Sequence, residues 1–121
     1  MINADALNKA GVDYNAGLKR FMNDPELYEM VLAAFARADI AQRARAAYDA
    51  NDRETLLKVV HEAKGSGGNA GLDKVYVEAS ALVKMLRSHD YTDDELTQGF
   101  ERFESAYMTI CDAVKASLEQ N

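Results

Sequence analysis

His61 and Lys64 stand three positions apart in the stretch HEAKGSGGNAG, residues 61–71, which also holds four glycines: Gly65, Gly67, Gly68 and Gly71. An accessible imidazole is a nucleophile, and an ammonium group close by offsets the charge on the oxygens of a phosphoryl group in transfer. Two phosphate-cradling loops compete with this reading. Gly65, Gly67 and Ala70 satisfy the G-x-G-x-x-A form of the dinucleotide fingerprint, with LLKVV (56–60) as a possible strand. That fingerprint requires a parallel sheet and an acidic residue about 20 positions further on, and the rest of the chain supplies no such sheet. The P-loop pattern fails because no Gly-Lys-Ser/Thr follows the glycines.

A helix running from Asp52 through about Ala70 accommodates the same residues differently. With Leu56 as the zero direction and about 100° per residue, Val60, Ala63, Gly67 and Ala70 fall within roughly 40° of it and form a buried stripe. His61 lies near 140°, with Leu57 and Lys64 at its shoulder, Gly68 beside it and Gly65 just beyond. The imidazole therefore points away from the core. Three mid-helix glycines cost roughly 3 kcal/mol against alanine, so something should offset them. Gly67, on the buried side, would let a neighbouring helix approach closely. Gly65 and Gly68, on the exposed side, are expected to have no packing role and to clear a surface on which a bulky partner reaches His61. Leu57, Lys58, Gly65 and Gly68 make up the expected binding surface. From local pattern alone, a solitary surface histidine beside a frayed helix end would look the same.

The elements around this stretch read as helices. Leu96, Phe100, Phe103, Tyr107, Ile110, Val114 and Leu118 recur at steps of three and four, one stripe of a long final helix. Thr92 with Glu95 is its capping box. Another long helix opens at Asp24-Pro25, with aspartate as N-cap and proline at the first helical position; Leu27, Val31, Ala34, Ala38, Ala41 and Tyr48 carry its expected apolar stripe. A shorter helix over 13–22 precedes it. Residues 72–87 form a further helix with Val75, Val77, Ala79, Leu82, Val83 and Leu86 apolar. LLKVV and VYV are β-prone but lack a turn partner. The fold class is all-α: an antiparallel four-helix bundle with a short additional N-terminal helical segment. Residues 1–121 form one domain, with the core bundle over about 24–119.

Composition narrows the function classes. Apolar residues make up 48% of the chain and charged residues 28%, a globular rather than a disordered balance. A net charge of −6 argues against nucleic-acid binding. No apolar run suits a membrane span, and MINADALNKAG has no signal-peptide pattern. Cys111 has no cysteine partner in the chain, which suits a reducing cytoplasm, and it reads as a small buried hydrophobe. The acids concentrate at the end: residues 91–121 hold seven against two basic residues, whereas residues 51–90 balance at six of each sign. His61 thus sits in the neutral part of the chain. His89, in RSHDYTDD, reads as a solvated loop residue.

At His61, Lys64, Gly65, Ser66 and Gly71, with Val75 replacing a leucine, the sequence resembles the histidine-containing phosphotransfer (HPt) domain family, whose motif runs approximately H-x-x-K-G-S/A-x-x-x-x-G-x-x-x-L. The opening GVDYNAGLKRFMNDPELYEMVLAAF (11–35) is also similar, and the resemblance spans roughly 11–118. It implies that His61 accepts a phosphoryl group on Nε2 from a receiver-domain aspartyl phosphate and passes it to another receiver, with Lys64 assisting. It implies response-regulator receiver domains and a hybrid sensor kinase as partners, and Mg²⁺ supplied by the receiver, with no metal or cofactor site of the chain's own. The chain would be a phosphoryl carrier, not an autokinase, and most simply a monomer. The alternative is an HPt-like module that binds receivers or kinases without being phosphorylated. One departure favours it: several family members orient the imidazole with a Glu or Gln on the following helix, where this sequence has Val83. Its neighbour Lys84 is a donor suited to a different role.

Overall fold

The computed structural model describes residues 3–119, all-helical and without strands among those residues. The order is α1 (Ala4–Lys9), α2 (Tyr14–Arg20), α3 (Pro25–Arg37), α4 (Ile40–Asp49), α5 (Arg53–Asn69), α6 (Asp73–Ser88) and α7 (Asp93–Glu119). No helix of these residues is long and apolar enough to cross a membrane.

The helix starts are written in short side chains. Asp13, Asp24 and Asp52 accept backbone N–H groups at the first turns of α2, α3 and α5, satisfying donors that a helix leaves unpaired. The capping box closes reciprocally: Thr92 N donates to Glu95 Oε1 at 2.9 Å, and Glu95 N to Thr92 Oγ1 at 3.1 Å. On α7 the expected stripe is buried from Leu96 to Val114, while Leu118 is partly exposed. On α6, Val77 faces outward instead of inward.

The long helix expected from residue 24 to about 48 is two helices. Ala38 is extended (φ −64, ψ 147) and separates α3 from α4. The buried residues give the reason. Tyr28, Leu32 and Phe35 point one way on α3, and Ile40, Ala44 and Ala47 would point roughly 120° away on an unbroken helix. The break lets both sets meet one core. The α3 face is also rotated by about one residue from expectation: Tyr28, Leu32 and Phe35 are buried, whereas Leu27 and Val31 are half-buried and Ala34 is exposed.

α5 packs against α4 and α6, and α7 against α3, α6 and α1. α4 is fixed to α7 by the stacked rings of Tyr48 and Phe100, 4.3 Å apart, and by Arg45 bridging both oxygens of Glu104 at 3.0 and 2.6 Å. Cys111 is buried on α7, and burial pushes its thiol up to about 11. A thiolate is the reactive form. Alkylation at pH 8 should therefore proceed at least about tenfold more slowly in the folded protein than after unfolding, as mass spectrometry of iodoacetamide-treated samples would show.

Two short helices, not one, precede α3, and the second is latched to the α5–α6 turn. Gly17 lies directly against the Tyr28 ring and hydroxyl, where any Cβ would overlap them. Tyr28 Oη donates to the Ala70 carbonyl at 2.9 Å in a buried setting. Gly71 (φ +73) comes so near that a Cβ on it would lie 3.2 Å from Gly17 Cα. Arg20, at the end of α2, reaches over the turn and donates to the Gly68 carbonyl at 3.2 Å.

Candidate functional site

α5 carries the candidate residues on one face. Asp52 starts it by accepting from Thr55 N at 3.0 Å, an interaction with the charged form that holds its carboxyl below the usual range. The helix then runs unbroken through Gly65, Gly67 and Gly68 to Asn69, and Leu56, Val60, Ala63 and Gly67 are buried as the angular argument requires. His61 is exposed, and among the described residues no hydrogen bond engages its imidazole.

The four residues of the expected binding surface occupy different situations. Gly65 opens on free space: beyond its own turn of helix, no atom of the described residues lies within 4 Å of a Cβ built there. Leu57 is half-buried against the core, and Lys58 is exposed and pairs with Glu54 at 3.7 Å. Gly68 departs from expectation. A Cβ on it would meet Cδ2 of Tyr76 at 3.0 Å and Cε2 at 3.4 Å, so it has a packing role within the chain. Gly67 does what its buried position predicts: its missing Cβ would stand 2.9 Å from Val75 Cγ1 and 3.6 Å from the Tyr76 backbone nitrogen, so α5 and α6 approach closely there.

Gly65 and Gly68, but not Leu57 or Lys58, border a cleft of about 490 Å³, lined from α5 by His61, Lys64, Gly65, Gly68 and Asn69, from α6 by Asp73 and Tyr76, and from α2 by Arg20. The Lys64 ammonium stands 5.8 Å from the Tyr76 ring centroid, at cation–π range. Glu62, next to His61 in sequence, is turned to the other side and pairs with Arg43 of α4 at 3.0 Å. The cleft therefore gathers two cations, Arg20 and Lys64, against one carboxylate, Asp73, beside an accessible imidazole. Such a site can receive a dianionic group at nitrogen while adjacent positive charge offsets the charge on its oxygens.

Sequence reasoning missed Arg20 and Tyr76. Nothing local to Arg20 points to a site 48 residues away. The burial of Val75 and Ala79 puts Tyr76 on one shoulder of α6, but only the fold shows that this shoulder faces α5. Val83, at the position where the resemblance implies an imidazole-orienting residue, is buried in the core. Among the described residues no group of three or more His, Cys, Asp or Glu could hold a metal ion. Comparison with family models, curated proteins and solved structures finds no match for this chain.

The open space at Gly65 makes a separable prediction. Gly65→Ala should stabilise the fold by about 1 kcal/mol, since alanine is the better helix former and its methyl meets nothing. Urea unfolding checks this, and a destabilised variant would mean that the glycine serves a conformation other than a continuous helix.

Proposed function

We propose that the chain is a phosphorelay carrier of the HPt type, accepting a phosphoryl group on His61 from the aspartyl phosphate of one receiver domain and passing it to another. The observation that carries this reading is an exposed imidazole in a cleft with Lys64 one helical turn on and no side chain at Gly65. Lys64 offsets charge on the phosphoryl oxygens, and the bare helix surface at Gly65 admits the rim of the receiver's active site. The receiver supplies the Mg²⁺ and the acidic pocket. The chain binds no nucleotide and acts as a carrier, not as an autokinase, with a hybrid sensor kinase upstream. The reading includes an antiparallel four-helix bundle of α3 with α4, α5, α6 and α7, carrying α1 and α2 as its N-terminal addition, working as a cytoplasmic monomer.

Incubation with a panel of phosphorylated receiver domains, followed by mass spectrometry at neutral pH, tests the proposal. An acid-labile, alkali-stable phosphate mapped to His61 is the expected result. A second reading, a receiver-binding module that is never phosphorylated, draws on the burial of Val83 and on the absence, among the described residues, of a hydrogen-bond partner for the imidazole. Receiver binding without any phosphate on His61 would select it.

A further inference from the structure

Tyr76 takes a place that core packing does not require. Its neighbours Val75 and Ala79 are fully buried, whereas Tyr76 keeps 44% of its surface exposed. The ring lies instead against α5, in the space that Gly68 leaves by having no Cβ. From there it sits 5.8 Å from the Lys64 ammonium, and Lys64 is three residues after His61 in the same cleft. Residues three apart on a helix are neighbours on its surface. Among the described residues no carboxylate pairs with Lys64, in contrast to Lys58, which Glu54 engages. The difference matters chemically. A carboxylate would hold the ammonium and also neutralise it, competing with incoming phosphoryl oxygens. An aromatic face holds the cation in place and leaves its charge available.

We propose that Tyr76 is a positioning residue for Lys64, keeping its ammonium over the cleft beside His61, and that Gly68 is glycine to seat the Tyr76 ring; this rests on the phosphorelay reading of His61. In the transfer, the lone pair of Nε2 on neutral His61 forms the new bond to phosphorus. The bond from phosphorus to the receiver's aspartyl oxygen breaks, and its electron pair leaves with the carboxylate. The proton on Nδ1 stays, so the imidazole ring becomes cationic as the carboxylate becomes anionic and total charge is conserved. Lys64 meets the phosphoryl oxygens throughout this step, and Tyr76 fixes where it stands.

Phosphoramidate, a small phosphoryl donor that needs no protein partner, provides the test, with the exposed His89 at the end of α6 as a reference in the same chain. The measured quantity is the ratio of initial phosphorylation rates at His61 and His89. Tyr76→Leu should lower it about threefold, the scale of an exposed cation–π contact. Tyr76→Phe, which keeps the ring, should leave the ratio within experimental scatter, and Gly68→Ala should lower it by displacing the ring. In parallel, the Lys64 Hε protons should carry an upfield ring-current shift in the wild type and Tyr76→Phe that Tyr76→Leu loses. A ratio unmoved by Tyr76→Leu, or no ring-current shift in the wild type, overturns the proposal. Should no phosphorylated receiver transfer to the wild type while the ratio still falls in Tyr76→Leu, the relay reading fails and the Tyr76–Lys64 coupling stands.

Discussion

His61→Gln is expected to abolish phosphate acquisition from every receiver that phosphorylates the wild type, while unfolding at the same urea concentration. The first half follows from chemistry. Glutamine is close to histidine in polarity, but its amide nitrogen has no free lone pair for attack at phosphorus, and His89 lies beyond the cleft at the far end of α6. The second half follows from placement. The imidazole is exposed and no hydrogen bond ties it to the described residues, so its loss should change stability by no more than about 0.5 kcal/mol. Receiver affinity, measured separately, should persist, because the surrounding cleft is intact. A stable alkali-resistant phosphate on the His61→Gln protein would move the acceptor elsewhere and remove the basis of the proposed function. A marked drop in stability would show that His61 is a structural residue.

The largest effect on stability is expected at a residue far from His61 in sequence. Gly17→Ala should destabilise the fold by about 2–4 kcal/mol, since overpacking in a tight site costs about 1–3 and a disrupted buried hydrogen bond about 1 more. Alanine at 17 would overlap the hydroxyl end of Tyr28, a fully buried side chain that donates to Ala70. The ring cannot swing out, because the rings of Tyr14 and Phe21 lie 5.4 and 5.3 Å from it. Adding Tyr28→Phe to Gly17→Ala should recover part of the loss by removing the oxygen, and that coupling distinguishes a local collision from a general weakening of α2. Denaturant midpoints of the two single variants and the double variant give the answer. A Gly17→Ala protein within about 0.5 kcal/mol of wild type would mean that α2 is loosely attached and that its link to the α5–α6 turn is not tight.

The same contrast between local and distant contacts explains what could be read from the sequence. α5 and α7 were legible because each declares itself within one turn: Asp52 and Thr92 mark their starts, and bulky apolar residues mark a single stripe. The break between α3 and α4 was not. Alanines at 33, 34, 36 and 38 are acceptable on either side of a helix, so they blur the direction of the stripe, and the turn of roughly 120° in buried direction shows only once Tyr28 and Ile40 are known to meet one core. In the site, His61, Lys64 and Gly65 were legible because a helix fixes their mutual angles. The sequence leads one to expect Gly68 to pack against nothing in the chain, because its contact, Tyr76, comes from another helix, and Arg20 comes from a third. Angular geometry within one helix predicts which side chains share a face; it does not predict which foreign side chain comes to lie on it.

The latch between α2 and the α5–α6 turn has a consequence for synthesis. Tyr28 leaves the ribosome 42 residues before Ala70, the acceptor of its hydroxyl. At about 5–20 residues per second, the phenol hydroxyl waits roughly 2–8 s for that acceptor, although Tyr14 and Phe21, which flank its ring, are already made. The contacts between α5 and α6 all lie within residues 53–88, whereas the end of the cleft that Arg20 provides needs the earlier segment to lie over it. The α2 segment is thus made well before the turn that it is latched to, and the edge of the cleft that Arg20 provides cannot form until that turn has been made.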